Sequence, residues 1–444
     1  MTWRDPRCSF ASQGSRIGRR VASASVRWGR LARIAIIGSG IGGLGAAWLL
    51  ARAHDVQVFE RDSRIGGHTH TTRVIGPDGE CLALDSGFIV HNEVTYPLFV
   101  RMLRELGVAT QPSRMGFSVT CRSCGLEFSG VRLWTQPEAV LRPAFLRMVP
   151  DAIRFQRTGD RALLPEYAGL SLREFAAAEG YSQAFTDHYL VPLTSAIWSA
   201  GLHDAQEFPA SYAVSFWRNH GILGFRRLEW RTIVGGSDTY VKAITHGLPG
   251  RVHAGLGVAE VRRDADGVDV RTDDGQVRRF DHVVMAAHAG QSLAMLADAT
   301  DDEREILSAF TTTESDVSLH ADASLLPRRR RSRVAWNHHV DDCHDPYAAP
   351  AMTYSLNRLE NLSSRTEWCV SLNRDDEVHP SRLVMRTRYA HPVYDFRALD
   401  AQGRMDEIQG VRRTWFSGAW MGYGFHEDGM RAAVDVARGL GLEW

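Results

Sequence analysis

The stretch RIAIIGSGIGGLGAAWLLARAHDVQVFE, Arg33 to Glu60, decides the fold. Ile34 to Ile37 is a short apolar run of the kind that forms a parallel strand buried on both faces. Gly38-Ser39-Gly40-Ile41-Gly42-Gly43 follows at once. A helix is predicted from about Gly42 to His54, and a second strand, Val56 to Phe59, ends on Glu60. Each glycine has its own task. Gly38 permits the tight turn, Gly40 lets a pyrophosphate approach the backbone, and Gly43 lets helix and strand pack closely. The helix N-terminus, beginning around Ile41 and Gly42, offers free N–H groups and a partial positive charge to phosphates. Glu60 lies 22 residues after Gly38, near the ~20-residue offset at which an acid meets a ribose hydroxyl. Strand, turn, helix, strand and acid together predict a dinucleotide site.

The whole chain sets the bounds. At 444 residues it exceeds the ~250–300 at which a single core stops growing, so two domains are expected. Hydrophobic residues make up 44% and charged residues 23%, ordinary for a globular protein. The net charge of zero is uneven: Met1 to Arg33 holds eight Arg and one Asp, leaving the remainder acidic. Lys242 is the only lysine, so 51 of the 52 basic residues are Arg. No apolar run reaches the ~18 residues of a membrane span. Arg19-Arg20 invites an export reading, but Val21 to Val26 is short and Ser-rich and Arg27 interrupts it, so a cytoplasmic location is expected. The six cysteines are scattered, which fits a reducing compartment. Cys121-Arg-Ser-Cys124 is a lone CxxC between strand-like Phe117–Thr120 and Leu126–Phe128, with no second ligand pair at zinc spacing. It reads as a hairpin turn, and no metal site is expected.

Outward from the fingerprint, residues 1–32 read as a basic disordered arm or an over-long start, with a membrane-surface role as the sharper alternative. Arg61-Asp-Ser-Arg64-Ile-Gly66-Gly67-His68 follows Glu60. The twin glycines bring backbone against something bulky, and Arg64 can reach a phosphate. Tyr96 to Leu106 is an amphipathic helix. Gln136 to His220 is helical in pattern, with a capping box at Ser171-Leu-Arg-Glu174 and a kink or break at Pro192. Trp198, Tyr212, Phe216 and Trp217 suit an ordinary core or the lining of an acyl tunnel, and composition does not decide between them. Gly235-Gly236 opens a helix carrying Tyr240 and Lys242. Val252 to Asp281 reads as a three-stranded antiparallel excursion with turns at Asp266-Gly267 and Asp274-Gly275. Arg328 to Arg333 holds five Arg in six residues, a solvated loop or a surface for an anionic lipid or carrier protein. Trp336-Asn337 and Ala351 to Leu356 alternate like sheet strands. Trp415 to Gly418 reads as a strand, with a helix starting near Asp428-Gly429.

These motifs carry a resemblance. The GxGxxG run, the acid after the second strand, RIGGH (Arg64–His68), LDSGF (Leu84–Phe88), VGGSDTY (Val234–Tyr240) and WFSGAWMGYGFHEDGM (Trp415–Met430) are similar to the FAD-binding amine oxidase superfamily. That superfamily includes phytoene desaturases and protoporphyrinogen oxidases. GFIVHNEVTYPLF (Gly87–Phe99), YLVPLTSAIWS (Tyr189–Ser199), WRNHGIL (Trp217–Leu223) and GYGFHEDG (Gly422–Gly429) resemble one branch more closely. It comprises the flavoprotein domain fused ahead of the methyltransferase in plant cyclopropane fatty-acid synthases, and free-standing bacterial flavoproteins that accompany such methyltransferases. Two departures from the parent pattern follow that branch: His68 where many amine oxidases have Arg, and Gly418-Ala419 where an acid usually follows the glycine.

The resemblance implies an α/β flavoprotein with a discontinuous Rossmann-like FAD-binding domain (33–105, 235–300 and 408–444) and an α+β substrate domain (106–234 and 301–407). It implies non-covalent FAD held by Gly38, Gly40, Ile41, Gly42, Gly43, Glu60, Arg61, Arg64, Gly66, Gly67, His68, Val258, Gly418, Asp428, Gly429 and Met430. The backbone at Val258 would meet the adenine, and the last helix would point its N-terminus at the flavin's pyrimidine end. Tyr423 and His426 are the expected catalytic residues, with an imidazolium at 426 repelling ammonium substrates. The expected reaction is oxidation or desaturation of a modified fatty-acyl chain by hydride transfer to flavin N5. Amine oxidation and a non-catalytic role beside a lipid methyltransferase are the alternatives. The expected partners are a lipid, such a methyltransferase and a membrane surface, with no nucleic acid.

Overall fold

The computed structural model describes residues 31–130, 136–224, 227–345 and 347–444. The expected basic arm lies outside the described residues except for Leu31 and Ala32. Strand β1 (Arg33–Ile37) is fully buried from Ile34 to Ile36, as its unbroken apolar run requires. It leads into α1 (Ile41–Leu50) and β2 (Asp55–Glu60). These join a five-stranded parallel sheet whose spatial order is Val252–Ala254, β2, β1, His282–Met285, Thr414–Phe416. In chain order that is third, second, first, fourth, fifth, the doubly wound arrangement that places a dinucleotide at the carboxyl ends of the strands.

Val252–Ala254 is a correction. It pairs in parallel with Val58–Glu60 at the edge of this sheet, and the antiparallel excursion begins only at Val258. The three remaining excursion strands, Val258–Arg263, Val268–Thr272 and Val277–Phe280, pair as expected around the two Asp-Gly turns.

The C-terminal helix, His426–Gly439, lies against α1. Gly45 makes this close approach possible, since a Cβ there would sit 3.0 Å from Met430 Sδ and 3.1 Å from Ala433 Cβ. Beneath the fifth strand, the fully buried Arg263 donates to Glu303 at 2.5 and 2.9 Å, to Asp298 at 3.0 Å and to Thr414 Oγ1 at 3.1 Å. Every charge in this group meets an opposite charge, which its burial demands.

A second sheet has seven strands, ordered Leu383–Val393, Thr311–His320, Cys369–Leu372, Ala351–Ser355, Trp336–Val340, Phe117–Cys121, Glu127–Ser129. The CxxC segment makes the expected hairpin turn between its last two strands. Helices between Pro143 and Asn219 cover one face of this sheet in a single apolar cluster with Val119, Phe128 and Val340. Ser171 caps Leu172–Ala178 in a complete capping box. Pro192 makes no break. Gln183–Phe185, a π-helical turn at Thr186–Leu190 and Val191–Trp198 follow one another directly. In the π turn the Val191 N–H bonds the Thr186 carbonyl, and the helix runs on through Pro192 without the bond that proline cannot donate. Among the described residues no helix is long and apolar enough to cross a membrane.

Candidate functional site

The first half of the site is built at the carboxyl end of β1. Gly38 has φ +107, a value that favours glycine, and its N–H donates to the Phe59 carbonyl at 2.9 Å. A Cβ at Gly43 would lie 2.0 Å from the Gly38 carbonyl oxygen, so helix and strand touch there. At Gly40 a Cβ would meet nothing within 4 Å. That glycine therefore faces open space at the start of α1, and no side chain caps the helix. Gly67 sits across from it, its Cβ position 3.0 Å from Gly40 Cα. Gly429 brings the C-terminal helix in, with its Cβ position 2.6 Å from Ile41 Cγ2 and 3.3 Å from Gly42 N. Two helix N-termini thus converge on one glycine-lined space, which suits a pyrophosphate.

Glu60 lies at the tip of β2, where its Oε2 accepts from Ser39 N (3.0 Å) and Ser39 Oγ (2.6 Å) and its Oε1 from Asp62 N (2.9 Å). Ser39 Oγ also accepts from Gly66 N at 3.0 Å. This serine ties the fingerprint to the second glycine pair, a role its place inside the GxG turn does not advertise. The chain passes close to Glu60 again just before Val258, as Leu256 N donates to the Glu60 carbonyl at 2.9 Å. Arg61 lies on the surface, its stem against Gly257. The Arg64 guanidinium donates to the carbonyls of Gly67 (2.7 Å) and Thr69 (2.8 Å). It clamps the Gly66-Gly67 turn.

The second half comes from the C-terminal segment. Trp420 Nε1 donates to the Ala287 carbonyl at 3.1 Å and fixes the turn after Gly418. The last helix starts at His426, two residues earlier than its apolar pattern suggests. Asp428 sets that start, accepting from Phe425 N at 3.0 Å, while the N–H groups of Asp428 and Gly429 bond the Phe425 carbonyl. Asp428 is therefore a helix cap in this structure. Glu427 caps the neighbouring helix Pro97–Glu105, accepting from Leu98 N and Phe99 N at 3.1 and 3.0 Å. Met430 points its side chain into the core against Gly45.

His426 is the principal correction. Its ring stacks on Phe88, with centroids 3.5 Å apart, and Nε2 lies 3.1 Å from both Thr69 Oγ1 and Tyr240 Oη. Burial, with His68 and His91 close by, holds its pKa well below the ordinary imidazole value. The ring is neutral, so no imidazolium is present there to repel an ammonium group.

Phe425 and Tyr423 face the opposite way, into an aromatic wall. Tyr423 lies 4.5 Å from Tyr212 between ring centroids, and Phe425 stacks on Phe216 at 4.9 Å. Trp198 Nε1 donates to the Tyr423 carbonyl (3.0 Å) and Tyr212 Oη to the Gly422 carbonyl (2.8 Å). Gly424, at φ +94, leaves room for Tyr394, whose hydroxyl would lie 2.6 Å from a Cβ there. Trp217 takes no part in this wall; it packs against Phe155 in the helical core.

A third group joins His68, an expected cofactor residue, to His288, Tyr389 and His391, which carry no signal in the sequence. His68 stacks near His391 (5.4 Å) and lies 6.2 Å from His288 and 4.9 Å from Tyr389. Burial, then the neighbouring His391 and His288, pushes His68 down to about 3, and burial holds His391 at about 4. All are neutral rings near pH 7. His391 Nδ1 and the Tyr394 hydroxyl are buried without a hydrogen-bond partner among the described residues. Open space above Gly40, two converging helix N-termini, an acid at the end of β2 and these two orphaned polar atoms fit a bound dinucleotide. The lone lysine is elsewhere: Lys242 Nζ pairs with Asp238 at 2.6 Å on an exposed helix face.

The CxxC turn also meets residues from two other segments. Cys121, Cys124, His188 and Cys343 come together at the edge of the seven-stranded sheet.

The sequence matches the family model "Flavin containing amine oxidoreductase" over residues 41–338. No curated protein matches the sequence. Among solved structures it is similar to a CLA-producing fatty acid isomerase from P. acnes, at 17% identity and a TM-score of 0.65, covering 92% of this chain and 98% of that one. It is also similar to wild-type putrescine oxidase bound to putrescine (14%, TM-score 0.67, 92% and 99% covered). Cyclohexylamine oxidase from Brevibacterium oxydans IH-35A is comparable (15%, TM-score 0.65, 93% and 100% covered). At these identities the structures share a fold with this chain. Since the family model spans well over half of the sequence and the cradle fits the cofactor, the chain belongs to the flavin containing amine oxidoreductase family and is an FAD-dependent oxidoreductase.

Proposed function

We propose that the protein oxidises or desaturates a fatty-acyl chain, methyl-branched or cyclopropane-modified, carried on a phospholipid. Bound FAD, held non-covalently, supplies a hydride acceptor at N5. The chain's own residues bind, orient and exclude water. The observation that carries this reading is that the aromatic wall of Trp198, Tyr212, Phe216, Tyr423 and Phe425 has its nearest acids already engaged. Glu427 and Asp428 cap helices, so neither is free to pair with a cationic substrate. An apolar wall without a free carboxylate favours a hydrocarbon over an ammonium group. The resemblance of Gly87–Phe99, Tyr189–Ser199 and Gly422–Gly429 to the flavoproteins that accompany lipid methyltransferases supports the same reading, with such a methyltransferase as partner.

A peripheral contact with the cytoplasmic face of a membrane belongs to this proposal. Leu141 is 82% exposed and Leu146 and Ile153 about half exposed. Arg329 of the arginine loop pairs with Glu138 beside them at 3.2 Å, while Arg328, Arg330 and Arg331 face solvent. Apolar side chains flanked by arginines suit an anionic lipid surface.

A second reading, amine oxidation, has its own support. Aromatic faces attract cations, and the neutral His426 offers no repulsion. Anaerobic mixing of the oxidised enzyme with phospholipids bearing cyclopropane or methyl-branched chains, and separately with putrescine, separates the two. The expected outcome is bleaching of flavin absorbance by the lipid alone. Bleaching by the amine with none by the lipid overturns the acyl reading.

A further inference from the structure

We infer that Cys121, Cys124, His188 and Cys343 form a structural zinc site that pins the helical layer to the seven-stranded sheet. Their four ligand atoms all lie within 4.8 Å of one another, with Cys124 Sγ 3.3 Å from His188 Nε2. With bonds of about 2.3 Å to sulfur and 2.0 Å to nitrogen, a tetrahedral site has edges of about 3.5–3.8 Å, so ångström-scale contraction completes it. The ligands come from three separate segments: the hairpin turn after Phe117–Cys121, the π-helical turn Thr186–Leu190 and the loop after Trp336–Val340. Three unbridged thiols and an imidazole meet there with only weak S–H hydrogen bonds to hold them.

The surroundings are those of a prepared site. His188 Nδ1 donates to the Ala184 carbonyl at 3.2 Å, which fixes the tautomer and leaves the Nε2 lone pair facing the thiols. Arg122 N donates to the Val340 carbonyl (2.8 Å) and Ser123 N to the Asp341 carbonyl (3.1 Å), stitching the CxxC turn to the Cys343 loop. Ser123 Oγ lies 3.4 Å from both Cys121 Sγ and Cys343 Sγ and accepts from Cys343 N at 3.2 Å. A surface cleft of about 350 Å³ lined by Asp187, Cys343 and His344 gives the ion a way in. With four protein ligands no coordination position is left for water or substrate, so the site is structural. Binding releases the three thiol protons, and no electron moves.

The position gives the ion a task. The π turn that carries His188 runs directly into Val191–Trp198, and Trp198 holds the Tyr423 carbonyl. Fixing that turn fixes one end of the aromatic wall.

The FAD-loaded protein, purified without chelator and analysed for metals, is expected to hold about one zinc per chain. X-ray absorption at the zinc edge is expected to show three sulfurs at about 2.3 Å and one nitrogen at about 2.0 Å. Cys124→Ser and Cys343→Ser should each lower zinc at least tenfold, while Cys369→Ser, in a strand of the sheet, retains it. Should the ligand variants fail to fold, cobalt loaded into the wild-type chain must give tetrahedral d–d absorption to the red of the flavin bands. Three results overturn the proposal: under a tenth of an equivalent of zinc after growth and refolding with zinc, stoichiometric iron with sulfide, or a Cys121–Cys124 disulfide in the non-reduced protein. Flavin content is read in the same samples, so failure here leaves the flavin reading intact.

Discussion

The imidazole of His426 lies face to face on the ring of Phe88, 3.5 Å between centroids and 17° from parallel. Phe88 belongs to the LDSGF segment and His426 opens the last helix, so this stack joins two stretches 338 positions apart. Its edge contacts, Thr69 Oγ1 and Tyr240 Oη, are 2.6 Å from each other. The ring therefore fills a cavity between hydroxyls that already have partners.

His426→Ala should consequently act on stability before chemistry. Truncating a buried ring leaves a cavity worth about 2–4 kcal/mol, read as a lower urea midpoint at unchanged slope. Because the ring is neutral, the pH profile of flavin reduction in the wild type should show no limb belonging to it. A limb near pH 6–7 that disappears in a folded, FAD-loaded His426→Ala protein would show that His426 titrates during reaction.

Two glycines of the fingerprint should respond in opposite ways. Gly43→Ala forces a Cβ to 2.0 Å from the Gly38 carbonyl oxygen and should prevent soluble expression. Gly40→Ala meets nothing in the protein, so the chain should fold with a melting temperature near that of the apo wild type. The new methyl would occupy the place where a pyrophosphate approaches, and FAD affinity should fall at least tenfold, measured by fluorescence titration. Full FAD affinity in Gly40→Ala would move the phosphates elsewhere.

What was legible in the sequence followed from local spacing. Gly38, Gly40, Gly43 and Glu60 were readable because one turn, one helix and one strand fix their relation. What was illegible arose from distance or burial. His68, His288, Tyr389 and His391 lie on three segments joined only by tertiary packing. Val252–Ala254 alternates too briefly to reveal which sheet it enters. Nothing local to His426 signals its burial, and it is desolvation that keeps this ring neutral. Cys343 and His188 carry no spacing relation to Cys121-Arg-Ser-Cys124, so a lone CxxC concealed a four-ligand cluster.

The buried histidines make the fold acid-sensitive. His68 and His338 are held at about 3, and His91, His220 and His391 at about 4, each chiefly by burial. Between pH 6.5 and 4 the unfolded chain takes up protons on these rings while the native chain does not, so stability falls as pH falls. One pKa unit corresponds to about 1.4 kcal/mol, so each ring costs up to about 2 kcal/mol by pH 5. Thermal unfolding from pH 8 to 5 should show the melting temperature constant above about pH 7 and dropping steeply below 6. The buried Asp85, raised to about 7, works in the opposite direction over this range, so a flat profile to pH 5 would mean that the rings contribute no more than the buried carboxyls offset.

The aromatic wall should be separable from cofactor binding. Tyr212 Oη and Trp198 Nε1 hold two successive carbonyls, Gly422 and Tyr423, of the loop that carries Phe425. The Gly422 carbonyl also accepts from Gln402 Nε2 at 2.9 Å, whereas the Tyr423 carbonyl accepts from Trp198 Nε1. Tyr212→Phe therefore leaves its acceptor satisfied and should cost under about 1 kcal/mol. Trp198→Phe removes a donor from a partly buried carbonyl and also opens space beside Phe208 and Phe216, whose ring centroids lie 4.6 and 4.9 Å away. The second change should cost about 2–3 kcal/mol and displace Tyr423 and Phe425, which lie outside the Gly40 cradle. FAD content in both variants should match the wild type. Substrate-driven flavin bleaching should slow little in Tyr212→Phe and at least tenfold in Trp198→Phe. Loss of FAD in Trp198→Phe, or unchanged bleaching with FAD retained, would remove these rings from the substrate's side of the site.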